Sequence, residues 1–111
     1  MSRRTPLLLI EDMIDSATRI LEYTDGMTRE QFAADSRTVD AVIRNFTVLG
    51  EAANRLPDEF RSQYPDFDWY RIVGLRNRVV HEYFGIDIAI VWEIRQSFLP
   101  ALLAQLRTIQ P

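Results

Sequence analysis

The sequence predicts an all-α protein, a four- to five-helix up-and-down bundle, and three observations carry that expectation. Apolar residues recur at helical spacing through most of the 111 residues. Capping residues of the Ser, Thr and Asp type stand before the periodic stretches, and Gly or Pro stands after most of them. No segment sustains the period-two alternation of a half-buried strand, so essentially no sheet is expected.

Each element is justified in turn. Leu8, Ile10, Met13, Ile14, Ala17, Ile20 and Leu21 form the apolar stripe of a first helix from Pro6 to Tyr23, stopped by Asp25-Gly26, while Glu11, Asp15, Arg19 and Glu22 make its solvated face. Thr28 opens a short second helix, with Gln31 placed for a capping box and Phe32 as its one anchor. Asp35 or Ser36 caps a long third helix with Val39, Val42, Ile43, Phe46, Leu49, Ala53 and Leu56 as its core stripe, ended or bent by Pro57. Gly50, Ala52 and Ala53 are small and let a neighbouring helix come close, and Glu51, Asn54 and Arg55 form a more polar edge beside them. A short helical turn is expected over 57–64, and then a connector through Tyr64-Pro-Asp-Phe-Asp. Asp68 caps a fourth helix running from 69 towards 84, where Gly85 stops it. Asp87 starts a last helix from 88 to about 108, which Pro100 should kink near Phe98.

Length and composition narrow the function classes. The length of 111 residues fits one domain, 1–111, with 47% hydrophobic and 26% charged residues as in globular proteins. With no cysteine and one histidine, disulfides and thiolate sites are excluded and a protein-only zinc site is not expected. No apolar run approaches the roughly 20 residues of a membrane span, and Glu11, Asp12 and Asp15 cut short the apolar start that a secretory signal would need, so a cytoplasmic protein is expected. The net charge of −3 argues against a general nucleic-acid coat protein. Charge is uneven, however: only 69–111, with five Arg against three acids, is net positive. All 13 basic residues are Arg, which binds phosphate in bidentate fashion, although genome composition also accounts for such a bias.

The chemistry concentrates in 71–87, which holds the only histidine. Arg76, Asn77, His81 and Tyr83 place a fixed cation, an amide, an imidazole and a phenol within about two helical turns. Trp69, Ile72, Val73, Val79 and Val80 are the expected buried side. Arg76 and Tyr83 border that stripe on one line, and Asn77 and His81 share another. Arg76 and His81 are five residues apart, about 140° around and about 7 Å along a straight helix. Three geometries would bring them together. Arg76 reaches across, the helix distorts before Gly85, or a second copy of the chain completes the site across a two-fold axis.

The third geometry suits metal-free RNA cleavage, because transesterification needs a base for the 2′-hydroxyl proton and an acid for the leaving 5′-oxygen. Imidazole titrates near neutral pH and performs either task, so two copies of His81 fill both. Arg76, and more loosely Arg78, would hold the scissile phosphate, and Asn77 would fix the imidazole tautomer or contact RNA. Glu51 is either a surface carboxylate or a residue orienting the site. The plainer reading of a lone histidine near a helix end is a cap or a surface residue.

The pattern Arg76, four residues, His81, one residue, Tyr83, followed by Phe84-Gly85-Ile86-Asp87, resembles the signature of the HepT-like branch of the HEPN superfamily. Leu49-Gly-Glu-Ala-Ala-Asn-Arg-Leu56, Tyr64-Pro65, Trp69, Gly74-Leu-Arg-Asn77 and Ile90-Val-Trp-Glu-Ile94 are similar to that branch too, so the resemblance covers nearly the whole chain. It implies the homodimeric, metal-independent ribonuclease toxin of a toxin–antitoxin pair, with no cofactor and with Arg76 and His81 as active-site residues, and the expected dimer pairs through the motif-bearing helix. It also implies a partner, a minimal nucleotidyltransferase of the MntA type, which neutralises the toxin by transferring AMP from ATP to Tyr83. AMP groups beside Arg76 would add negative charge and bulk where the RNA phosphate sits. The acidic balance of the chain suggests a narrow substrate, a tRNA or messenger RNA. The rival expectation is a non-catalytic helical dimer that binds nucleotide or the nucleotidyltransferase, and the third is a structural bundle in which His81 and Tyr83 only pack or cap.

Overall fold

A computed structural model describes residues 4–79 and 87–109, and among them every regular element is a helix. Val80, His81, Tyr83 and Gly85 lie outside the described residues, so the expected end of the fourth helix does too.

The first helix, α1 (Pro6–Tyr23), is capped by Thr5, whose Oγ1 accepts from the Leu8 amide at 3.3 Å, and Pro6 follows where a missing N–H costs nothing. Its buried stripe is Leu9, Ile10, Met13, Ala17 and Ile20. Leu8, expected on that stripe, is 39% exposed, because the line through Met13 and Ala17 passes through Leu9 four residues before Met13. Gly26, at φ 74°, makes the turn that ends the segment.

Thr28 and Gln31 form the expected capping box at the start of α2 (Arg29–Ala34), with bonds of 3.1 and 2.9 Å. A six-residue helix does not persist alone. Phe32 holds it by burying its ring completely, 5.2 Å from the Trp92 ring. Burial of such a side chain contributes about 1.5–3 kcal/mol.

The central helix is α3 (Ser36–Arg55). Asp35 is its cap, accepting from the Thr38 amide at 3.2 Å and the Thr38 hydroxyl at 2.8 Å. Those bonds, the hydroxyl's first, hold the Asp35 carboxyl below its ordinary value. All seven expected core residues of α3 are buried, with Asn45 tucked beside them by donating to the Ala41 carbonyl at 2.8 Å. Leu56 ends the helix in extended conformation ahead of Pro57, as the residue before proline prefers.

The short α4 (Asp58–Ser62) buries none of its side chains fully, and Phe60 packs half-buried against the core, 5.2 Å from the Tyr64 ring. The rest of its position comes from the connector behind it. The Trp69 indole donates to the carbonyls of Arg61 and Tyr64 at 3.1 and 3.0 Å and stacks on Phe67 with ring centroids 4.8 Å apart.

The expected fourth helix is present as two pieces, α5 (Trp69–Val73), capped by Asp68, and α6 (Leu75–Val79). Gly74 interrupts the helix without ending it. Helical bonds run from its amide to the Tyr70 carbonyl at 3.1 Å and from the Arg78 amide to its own carbonyl at 3.0 Å. The buried line is Ile72, Leu75 and Val79, with Trp69 and Val73 only half-buried. Leu75 was not expected there. It is buried because α5 and α6 turn the 72–75–79 line towards α3 at a close crossing. A Cβ on Gly50 would stand 3.2 Å from the Arg76 amide nitrogen and 3.4 Å from the Ile72 and Val73 carbonyl oxygens.

Asp87 caps α7 (Ile88–Ser97) by accepting from the amides of Ala89 and Ile90, and Phe98 separates it from α8 (Leu99–Leu106). That interruption is the expected kink, since Pro100 cannot donate to the carbonyl one turn back. The two pieces pack against α1, α2 and α6 around the α1–α3 pair. Arg95 ties them to the far end of α1, donating from Nε to the buried Thr24 hydroxyl at 2.7 Å.

Candidate phosphate-binding cleft

The Gly50 crossing determines what stands beside Arg76. Because α3 and α6 approach backbone to backbone there, side chains one position to either side splay outward and leave a cleft of about 480 Å³. Glu51, Asn54 and Arg55 line it from α3, Arg76 and Asn77 from α6, and Gly50 and Val73 form its floor. The Arg76 Nε lies 3.6 Å from the Glu51 Oε1, and both side chains are more than half exposed. That pair contributes little to stability, on the order of 0–1 kcal/mol. Its effect is positional: a carboxylate at this distance biases the Arg76 guanidinium towards the cleft. Arg55, in the last turn of α3, adds a second cation where the helix dipole also favours one.

Among the candidate residues, the fold therefore brings Arg76, Asn77 and Glu51 together. Glu51 stands opposite Arg76 as an exposed carboxylate lining the cleft. Arg78 is separated from them. It lines a neighbouring groove with Arg71, as two residues along a helix turn a side chain about 200° away. His81 and Tyr83 lie outside the described residues. Asn54 and Arg55 are cleft residues that the sequence marked only as a polar edge. Their spacing of three and four from Glu51, which shares a helix face, was the available signal.

Two arginines, two amides and one carboxylate in an open cleft suit an anionic ligand with several oxygens, such as a phosphate within a larger molecule. Among the described residues no three His, Cys, Asp or Glu gather as a metal ligand set. No helix of the described residues is long and apolar enough to cross a membrane.

The class so defined is an α-helical protein with an open, arginine-lined cleft. The chain belongs to the HepT-like family: the family described as "Ribonuclease HepT-like" matches residues 13–109. Among curated proteins, "Putative RNase MJ0127" of Methanocaldococcus jannaschii is 32% identical over 109 residues, covering 98% of this chain and 90% of that one. "Putative RNase TTE0752" of Caldanaerobacter subterraneus subsp. tengcongensis is 32% identical over 106 residues, 96% and 95% of the two chains. "Probable ribonuclease HepT" of Thermococcus cleftensis is 31% identical over 93 residues, 84% of each. No solved structure matches the chain.

Proposed function

We propose that the chain is a metal-independent endoribonuclease, the toxin of a toxin–antitoxin pair, active in the cytoplasm as a homodimer. The observation that carries the reading is Arg76 facing an open cleft opposite Glu51, five residues before the only histidine of the chain. Membership of the HepT-like family and the ribonuclease names of the relatives support it.

In this reading Arg76 and Arg55 hold the phosphate that joins two nucleotides. One His81 takes the 2′-hydroxyl proton as that oxygen attacks phosphorus, and the His81 of the second copy gives a proton to the departing 5′-oxygen. The products are a 2′,3′-cyclic phosphate and a 5′-hydroxyl end, with no net proton change. Arginine stabilises the charge that gathers on the phosphoryl oxygens. Asn77 contacts the strand or fixes the imidazole, and Arg78 binds phosphate outside the cleft. A nucleotidyltransferase of the MntA type silences the toxin by placing AMP on Tyr83.

The testing experiment incubates tRNA and total RNA with unmodified protein in excess chelator, beside His81→Ala. Cleavage that disappears with His81 supports the reading, and intact RNA with a folded dimer refutes it. One observation favours a second reading, a module that binds nucleotide or its partner without cutting. Glu51 competes with phosphate for Arg76 and weakens a site that already belongs to an acidic chain. Toxicity that survives His81→Gln would select the module.

A further inference from the structure

Next to the cleft runs a groove of about 920 Å³ lined by Arg61, Tyr70, Arg71, Asn77, Arg78 and Ile90. Val73 and Asn77 line both cavities, so the groove continues the cleft across α5 and α6. Tyr70 is 92% exposed, more than any other large hydrophobic or aromatic side chain among the described residues. The cations around it differ in availability. Arg61 is paired with Asp58 at 2.6 Å, whereas Arg71 rests its guanidinium over the Phe98 ring, 4.6 Å from the centroid, and Arg78 is exposed. The one carboxylate of the groove, Asp68, already accepts from the Arg71 amide.

The register links the groove to the chemistry. Helical hydrogen bonds continue through Gly74, so Asn77 returns to within about 20° of Tyr70, roughly 10 Å along the axis. The Tyr70 ring therefore lies in line with the edge of the Arg76 cleft, and Arg71 and Arg78, about 100° to one side of that line, border the same groove. That combination suits single-stranded nucleic acid, whose bases stack on aromatic rings while arginines follow its phosphates. Tyrosine and arginine are common at protein interfaces too, so a subunit contact is one outcome that the test distinguishes.

We propose that Tyr70 and Arg71 form a second subsite of the ribonuclease, in which a base flanking the cleaved phosphate stacks on the Tyr70 ring and the next phosphate pairs with Arg71. This proposal rests on the ribonuclease reading. It confines cleavage to strands that can unstack, so loops and single-stranded segments are cut and regular duplex is spared.

The test measures binding of fluorescein-labelled single-stranded RNA by fluorescence anisotropy at several salt concentrations, with His81→Ala in every protein to prevent cleavage. Tyr70→Ala is expected to weaken binding roughly 5- to 100-fold, and Tyr70→Phe to retain it, since stacking needs the ring and not the hydroxyl. The salt dependence should be unchanged by Tyr70→Ala, whereas Arg71→Gln should lower its slope by about 0.7, the value for one phosphate on a single strand. If Arg76→Ala weakens binding while Tyr70→Ala leaves it intact, the subsite is refuted and the ribonuclease reading survives. If the parent protein binds no RNA, both fail together. If Tyr70→Ala instead turns dimer into monomer in sedimentation, Tyr70 belongs to a subunit contact and the subsite is refuted.

Discussion

Gly50 offers the sharpest test of how the cleft is built. In an unhindered helix interior, Gly→Ala gains about 1 kcal/mol from helix propensity. At this position the new Cβ meets backbone atoms at 3.2 and 3.4 Å, and backbone cannot swing aside as a side-chain tip can. Overpacking of this kind costs typically about 1–3 kcal/mol. The two effects oppose each other, so Gly50→Ala should come out between neutral and about 2 kcal/mol less stable. Gly50→Val, which adds two methyl groups beyond the alanine Cβ and gains less propensity than alanine does, should cost about 3 kcal/mol or more. At about 4 °C per kcal/mol for a domain of this size, thermal melts followed by circular dichroism should show little change or a loss of up to roughly 8 °C for Ala, and a loss beyond 10 °C for Val. Cleavage should fall further than stability in Gly50→Ala, because the displaced atom is the amide of Arg76 itself. A melting temperature that rises by the full propensity gain, with activity unchanged, would refute the close crossing as the origin of the cleft.

Three further outcomes are expected. Asp35 has its carboxyl held below the ordinary value of 3.8, so its stabilising effect is fully present above that value and is lost as pH falls through the lowered one. Asp35→Ala should accordingly lower the melting temperature at pH 7, and the difference from the parent should shrink in melts taken at successively more acidic pH. Mixing Arg76→Ala with His81→Ala subunits should restore some RNA cleavage through heterodimers if each site draws on both copies, and an activity no higher than either parent would argue against a shared site. Tyr83→Phe should stay toxic while escaping the nucleotidyltransferase, and growth rescued by the partner as well as for the parent would place neutralisation elsewhere.

The helices that sequence alone placed well are those whose ends carry their own chemistry. Thr5, Thr28 with Gln31, Asp35, Asp68 and Asp87 each satisfy amides within three residues, so no distant contact is needed to locate them. Side-chain orientation was harder to read where two apolar residues adjoin. Leu8 and Leu9 fit nearly equal helical stripes, and only the packing of α1 on α3 decides between them. The same ambiguity hid Leu75, which a regular helix does not distinguish from its neighbours until Gly50 sets the crossing. For the cleft, the local motif located Arg76 and Asn77. Glu51, Asn54 and Arg55 join them across a separation of more than twenty residues, and such a juxtaposition has no periodic signature. Tyr70 stands beside Trp69 in sequence, and only the packing of Trp69 on Phe67 shows which of the two adjacent aromatic rings turns outward.

The Trp69 indole has a consequence for how the molecule opens. Because the half-buried Phe60 is the one apolar side chain by which α4 meets the core, its attachment depends heavily on the two carbonyls that this one ring holds and on the aromatic stack behind it. Segments with so few buried contacts exchange their amides through local opening, at a lower free energy than global unfolding. The second tryptophan, Trp92, sits against Phe32 in the α2–α7 contact and has no part in that opening. The chain therefore carries two optical reporters of different events, one for the peripheral turn and one for the core, and single-tryptophan variants would let fluorescence follow each separately.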